Sequence, residues 1–261
     1  MPVAAAPSRA VAALALATAG LLTSHDVARA DLKVRMPTVE YRELELEHNG
    51  LVTFGSKGSA FDRLQSYTNE IAYGITPWWK VELESSLAAG AGRSLRSDAF
   101  AFENTFQLTE PGEYFFNFGF FAEYEHVTVR GAPNAVILGP IIQKELPSFL
   151  GLSTLHTVNL FFSRDVGANA SRATGFSYAW QSVARLTPLL APGVEFYGQI
   201  ENLGQTRRYN QQQHLVGPVL TGAQRLGGYG NLKYEVGYLF GLTTNSPTGA
   251  IRWRLEYEVA F

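Results

Sequence analysis

The sequence predicts an all-β protein, an antiparallel up-and-down transmembrane β-barrel of about 12 strands, with about 10 or 14 as the other even counts that fit. Three observations lead to this fold class. The chain divides into short segments in which apolar and polar residues alternate, and a period of two is that of a β-strand. Bulky aromatic residues share one face of these segments, and charged residues share the other. The connections alternate between short and long.

The start of the chain is typical of an export signal. Arg9 precedes an apolar run over residues 11–23, and Ala28-Arg29-Ala30 is a small-x-small cleavage motif. The apolar run is shorter than the roughly 20 residues that a membrane helix needs. We therefore predict a secretory signal peptide over residues 1–30, cleaved before Asp31. Residues 31–261 then form a single barrel domain, exported through the periplasm to a bacterial outer membrane.

Twelve alternating segments are predicted as strands, with ends uncertain by about 2–4 residues. They cover residues 39–48, 66–73, 79–87, 100–107, 114–126, 135–145, 155–164, 176–186, 194–202, 214–221, 232–242 and 250–261. The connections after the even strands are mostly short, and those after the odd strands are mostly longer and more polar. Short periplasmic turns and long outer loops are usual in such barrels, so both chain ends are expected on the periplasmic side.

The faces of the strands indicate which side meets lipid. The tract "YFFNFGFFAEYEH" places Phe116, Phe118 and Phe120 on one face, and Glu123 and Glu125 on the other. A soluble barrel would need the polar residues outside, whereas a membrane barrel has aromatic residues outside and polar residues in the lumen. The residues predicted to line the lumen are Glu45, Glu47, Glu82, Glu84, Glu103, Glu123, Arg185, Glu195, Lys233, Glu235, Arg252 and Arg254.

Acidic residues outnumber basic ones at the inward positions. A barrel of about 12 strands lies between small barrels filled by side chains and large barrels with an aqueous channel. Two interpretations remain open. The lumen is either a narrow, partly obstructed pathway or binding site for small solutes that prefers cations, or a salt-bridged interior that only fills the barrel.

The last strand, "RWRLEYEVAF", resembles the C-terminal assembly signal of bacterial outer-membrane proteins, which ends in an aromatic residue. The resemblance implies that the barrel-assembly machinery recognises Phe261. The tracts "NEIAYGITPWWKVELES" and "FENTFQLTEPGEYFFNFGFFAEYEH" resemble an outer-membrane family that is linked to the meta pathway of phenol degradation and regarded as transporters. This second resemblance implies a transport role and brings no catalytic residues.

Two details of the barrel wall are also predicted. Strand 12 should pair with strand 1, with Glu45 opposite Arg254 and Glu47 opposite Arg252 within a slip of about two residues. A change of phase between Arg42 and Glu43 predicts a bulge there. The dipeptides Gly139-Pro140 and Gly217-Pro218 should each cause a bulge or a missing ladder bond, because proline has no N–H to donate.

Composition and motifs weigh against other classes. The chain has no cysteine and a formal net charge of −2, so disulfides, thiolate metal sites and nucleic-acid binding are not expected. The histidines lack metal-binding spacing, and no G-x-S-x-G occurs. We predict no catalytic, cofactor or metal site and no enzymatic turnover; a lipid-modifying barrel enzyme and a purely structural barrel are the alternatives. Arginines in the outer loops either contact lipopolysaccharide phosphates or are ordinary solvated charges.

Overall fold

The computed structural model describes residues 32–56, 58–147 and 151–261. The predicted signal peptide and its cleavage site before Asp31 lie outside the described residues. Within the described ranges, no helix is both long enough and apolar enough to cross a membrane.

Twelve antiparallel strands form a closed barrel, which confirms the predicted fold class and strand number. Each strand pairs with its neighbours in sequence, and β12 pairs with β1 to close the cylinder. The strands are β1 (Glu43–Phe54), β2 (Gln65–Thr76), β3 (Trp79–Ala89), β4 (Arg96–Gln107), β5 (Asn117–Val127), β6 (Asn134–Pro147), β7 (Ser153–Val166), β8 (Thr174–Ala184), β9 (Ala191–Ile200), β10 (Gln213–Arg225), β11 (Asn231–Gly241) and β12 (Gly249–Ala260). We call the end where β1 begins and β12 finishes the near end, and the opposite end the far end.

The barrel wall has an apolar outer face and a polar inner face. On β4, Phe100 and Phe102 are about half exposed, whereas the next residue, Glu103, is fully buried inside. This is the inverse of the usual arrangement in a soluble protein, in which large apolar side chains are buried and charged side chains are mostly exposed. The closed ladder also leaves no unpaired strand edge. The predicted arrangement, with aromatic residues outside and charges inside, is therefore present.

The seam between β1 and β12 has a different register from the predicted one. Arg252 and Arg254 point into the barrel and are buried, as expected. The prediction that Glu45 lies opposite Arg254 and Glu47 opposite Arg252 is wrong. The observed pairs at the two arginines are Asn49 with Arg254 and Leu51 with Arg252.

A turn at Arg42 accounts for the difference. Arg42 adopts a φ of 63°, which is uncommon for a residue other than glycine, and the Glu43 N–H donates to the Glu40 carbonyl at 3.3 Å. The predicted bulge between Arg42 and Glu43 is therefore a tight turn that precedes β1. Residues 39–42, which the alternation places in strand 1, lie outside β1, within or just before this turn, and β1 extends instead to Phe54.

The two Gly-Pro dipeptides interrupt their ladders without a bulge. Of the two predicted outcomes, the ladder is therefore broken rather than bulged. The pairing of β6 with β7 has no partners at Gly139 and Pro140, and that of β10 with β11 has none at Gly217 and Pro218. The flanking pairs keep one register at both sites. They are Leu138–Phe162 and Ile141–Asn159 at the first site, and Val216–Phe240 and Val219–Gly237 at the second.

Glycine is required at these sites by the close approach of the neighbouring strand. A Cβ on Gly217 would lie 1.8 Å from the carbonyl oxygen of Tyr238 on β11. We expect Gly217→Ala to lower the free energy of unfolding in detergent by about 1–3 kcal/mol or more, because the backbone of β11 must shift. Gly90→Ala is the matched control, since a Cβ there meets no atom within 4 Å. Equal urea midpoints for the two variants would contradict this account.

Candidate functional site: an occluded lumen

A chain segment that precedes β1 lies inside the barrel. We call residues 32–40 the lumen segment. Val34 is fully buried and packs against Leu51, Leu215 and Leu239, which lie towards the far ends of their strands. Val39 lies towards the near end, where its N–H donates to Gln107 Oε1 at 2.8 Å. The lumen segment therefore crosses much of the barrel beside the polar inner wall.

Side chains of the lumen segment alternate between two halves of the wall. Lys33 and Arg35 contact carboxylates on β1, β2 and β4. Val34 joins the apolar cluster described above, and Met36 Sδ accepts a hydrogen bond from Gln143 Nε2 on β6 at 3.2 Å. Alternation in an extended chain places successive side chains on opposite sides. The segment is therefore basic on one side and apolar on the other.

Lys33 is held by a pair of buried carboxylates. Its ammonium lies 2.6 Å from Glu47 Oε1 and also bonds Glu70. Asn49 Nδ2 donates to both carboxylates, at 2.7 Å to Glu47 and 2.9 Å to Glu70. A buried charge is tolerated when it is paired and hydrogen-bonded. The lumen segment thus neutralises acids that β1 and β2 direct inward.

Arg35 is recognised through both its side chain and its backbone. The guanidinium donates to Glu103 at 2.8 and 3.3 Å and lies over the Phe121 ring, 4.3 Å from its centroid. The Arg35 N–H donates to Asn159 Oδ1 at 2.7 Å, and Asn159 Nδ2 donates to the Arg35 carbonyl at 2.8 Å. Glu103 and Asn159 are fully buried. Arg35 therefore bridges β4, β5 and β7 across the lumen.

A second ion-pair network lies on the wall next to the seam. Arg252 donates from Nε to Glu195 Oε2 at 2.6 Å and from Nη2 to Glu235 Oε2 at 2.8 Å. Arg254 also pairs with Glu235, and its Nη1 lies 3.4 Å from the Val34 carbonyl oxygen. This network joins β9, β11 and β12 and reaches the lumen segment.

Three carboxylates meet where the lumen segment crosses the barrel. Oxygens of Glu70, Glu82 and Glu103 lie within 4.8 Å of one another, close enough to share a cation. In this conformation Lys33 and Arg35 supply positive charge to Glu70 and Glu103. Buried like charges at this distance strongly favour a cation among them.

The lumen segment lies between two cavities. The near cavity has a volume of about 510 Å³, and the far cavity a volume of about 140 Å³. Lys33 and Arg35 line both of them, so these two residues belong to the partition. The far cavity has many apolar and aromatic lining residues, including Phe161 and Tyr197. The near cavity has a charged side that includes Lys80.

All twelve residues predicted to line the lumen face it or its near mouth. Glu45, Glu47, Glu82, Arg185, Lys233, Glu235 and Arg254 line the near cavity, Glu84, Glu123 and Arg252 line the far cavity, and Glu103 and Glu195 are fully buried in the ion pairs described above. Arg185 follows β8 and pairs with Glu145 at 3.1 Å, with both side chains about half exposed. A role for these residues in solute passage stays a prediction.

Sequence reasoning missed the lumen segment and its partners on β5 and β7. The available signal was the tract "LKVRM", residues 32–36, in which apolar and basic residues alternate one residue after the predicted cleavage site. Lys33 and Arg35 were not among the predicted lumen residues. Asn159 was also missed, because a single buried amide leaves no pattern in a sequence.

Fold and site together define a closed β-barrel of the outer-membrane type with an occluded, ion-paired lumen. The COG4313 outer membrane channel from Pseudomonas putida F1 is similar in structure, with a TM-score of 0.53 and 14% sequence identity over 89% of this chain and 98% of that one. At this identity the similarity concerns the fold.

Two autotransporter barrels are more distant matches, each with 10% identity. The translocator domain of NalP from Neisseria meningitidis has a TM-score of 0.43 and covers 90% of this chain and 93% of its own. The transport unit of AIDA-I from Escherichia coli has a TM-score of 0.44 and covers 92% of this chain and 97% of its own. No protein-family model matches the chain, and no curated protein matches it.

Proposed function

We propose that the protein is a bacterial outer-membrane channel for small solutes, in a conformation that its own lumen segment closes. The observation that carries the proposal is the lumen segment itself. It separates two cavities in a polar lumen and is held by side chains of the wall, through Glu47, Glu70, Glu103 and Asn159. A barrel that only needed filling would not require an ionised chain segment seated between two cavities.

The apolar outer face of the barrel supports a membrane setting for the proposed channel. Half-exposed aromatic and aliphatic residues encircle the barrel, including Leu83, Tyr124 and Phe240. The near end would face the periplasm and the far end the outside. Outer-membrane lipids, lipopolysaccharide at the arginine-bearing loops, and the assembly machinery at Phe261 are the partners that this setting implies. The resemblance to the phenol-degradation family favours a transport role.

A planar lipid bilayer tests the channel. We expect the purified wild-type protein to give small discrete conductances, with a reversal potential across a KCl gradient that indicates modest cation preference. The reason is the excess of inward carboxylates. The preference should fade on acidification, because protonated carboxyls no longer attract cations. Anion preference at neutral pH would contradict the proposal.

The competing functions give different results in the same preparation. A structural barrel would give no conductance in the wild type or in variants whose lumen segment is released. A lipid-modifying enzyme would release acyl chains from phospholipid vesicles at a rate that depends on protein concentration.

A further inference from the structure

We propose that the part of the inner wall that holds the lumen segment, which we call the seat, is a binding site for short extended peptides in which basic and apolar residues alternate. Residues 32–36 would be its built-in occupant. The inference deepens the proposed channel function by naming a ligand class, and to that extent it rests on that function. Binding to this site can nevertheless be measured without any conductance.

The first argument is that the wall recognises peptide backbone. Asn159 both accepts from the N–H and donates to the carbonyl of Arg35, at 2.7 and 2.8 Å. This is the pairing that one residue of a neighbouring strand would supply. Beyond residues 32–36, the wall also recognises the backbone of the lumen segment at Val39, whose N–H donates to Gln107 Oε1. These hydrogen bonds are made to backbone N–H and carbonyl groups, which every peptide carries, as in recognition by strand addition.

The second argument is that the wall offers two cation subsites at the spacing of an extended chain. The first subsite is the Glu47–Glu70 pair that holds Lys33. The second is Glu103 with the Phe121 ring, which combines a forked carboxylate contact with a cation–π contact and so suits arginine. Residues two apart in an extended chain point to the same side, so the wall selects a basic–x–basic pattern.

The third argument is that the intervening positions face uncharged wall. Val34 packs into the cluster that contains Ala179, Leu215 and Leu239, on β8, β10 and β11. Met36 is met by Gln143 and Thr157. A charged residue at either position would be buried without a counter-ion, which is unfavourable. The pattern that the site accepts is therefore basic at two alternate positions and apolar between them.

The fourth argument concerns what departure of the lumen segment leaves behind. Glu47, Glu70 and Glu103 would lose the buried ion pairs that Lys33 and Arg35 make, and Glu47 would keep only Arg254, at 3.9 Å. Removing one partner of a buried ion pair is strongly unfavourable because an uncompensated charge remains. A cationic ligand that replaces Lys33 and Arg35 removes this penalty. The near cavity of about 510 Å³ gives a path by which such a ligand can reach the seat.

The test uses the full-length chain with Lys33→Glu and Arg35→Glu. These changes make the lumen segment acidic, so that the carboxylates of its seat repel it. The probes are two capped peptides, LKVRM and LQVQM, which share their apolar residues. Calorimetry in detergent should show that the variant binds LKVRM and binds LQVQM at least about tenfold more weakly, since two charged contacts are lost. Adding Asn159→Ala to the variant should weaken LKVRM binding by about tenfold, through loss of two backbone hydrogen bonds.

Equal binding of both peptides, or no binding of LKVRM to the folded variant, would overturn the proposal of a peptide site. Should the charge-reversed protein not fold, the full-length Lys33→Gln, Arg35→Gln variant is titrated with the same peptides, and the same two results would overturn the site. Conductance of the variant separates this inference from the channel itself. Binding of LKVRM without conductance would support the peptide site and contradict the channel. Conductance that LKVRM neither blocks nor alters would support the channel and contradict the peptide site.

Discussion

Reversing the charges of Lys33 and Arg35 together is expected to raise the open probability and the mean conductance of the barrel strongly. The two cations are buried against Glu47, Glu70 and Glu103. Breaking a buried ion pair costs about 3–5 kcal/mol, so the closed population should fall by more than about a hundredfold relative to the open one. Single-channel recording of wild type and variant in the same bilayer measures the change.

The matched control reverses two exposed arginines, Arg93 and Arg96, which produces the same change in net charge outside the lumen. Its conductance should remain that of the wild type. With the lumen acids no longer neutralised, the Lys33–Arg35 variant should also become more cation-selective, whereas the control should not. Wild-type conductance in the folded lumen variant would show that the segment does not gate the pathway.

Arg252→Ala is expected to give the largest loss of barrel stability among single substitutions in the lumen. Arg252 is buried and bonds both Glu195 and Glu235. Its removal leaves Glu195, which is fully buried, without its guanidinium partner. The free energy of unfolding should fall by about 3–5 kcal/mol, measured by urea titration of tryptophan fluorescence in detergent.

Arg185→Ala provides the comparison for that loss. Arg185 makes the same kind of pair with Glu145, but both side chains are about half exposed. An exposed pair contributes about 0–1 kcal/mol, so the urea midpoint should move little. Similar losses in the two variants would mean that burial does not determine the energetics of these pairs.

The barrel could be predicted from the sequence because its main signal is local. Along each strand the period of two separates outward-facing residues such as Phe100 and Phe102 from lumen-facing residues such as Glu103. Twelve such segments and an even count were enough for the topology. The Gly-Pro interruptions could be predicted for a similar reason, since proline loses its ladder bond wherever it lies in a strand.

The register of the seam could not be predicted from the same information. Glu45 pairs with Glu258 rather than Arg254, and the two registers differ by an even number of residues. Such a slip leaves every side chain on its original face, so the pattern of faces cannot distinguish them. The turn at Arg42 decides the register, and nothing in the residue type arginine indicates its φ of 63°.

The lumen segment was missed for a different physical reason. Five alternating residues are compatible with a wall strand, an inner strand or a linker, and only the partners distinguish these. Those partners are distant in sequence, since Arg35 is 68 residues from Glu103 and 124 from Asn159. The inward charges of the wall were predicted as a set, but the cations that neutralise part of that set were not.

The position of the lumen segment also limits the order in which the protein can be assembled. A chain cannot enter a sealed cylinder through its side, so it must be threaded from an end or be enclosed while the sheet is still open. The acids that hold Lys33 and Arg35 belong to β1, β2 and β4, all in the first part of the chain. If the segment is enclosed, it can therefore dock on the sheet of β1, β2 and β4 before β12 meets β1.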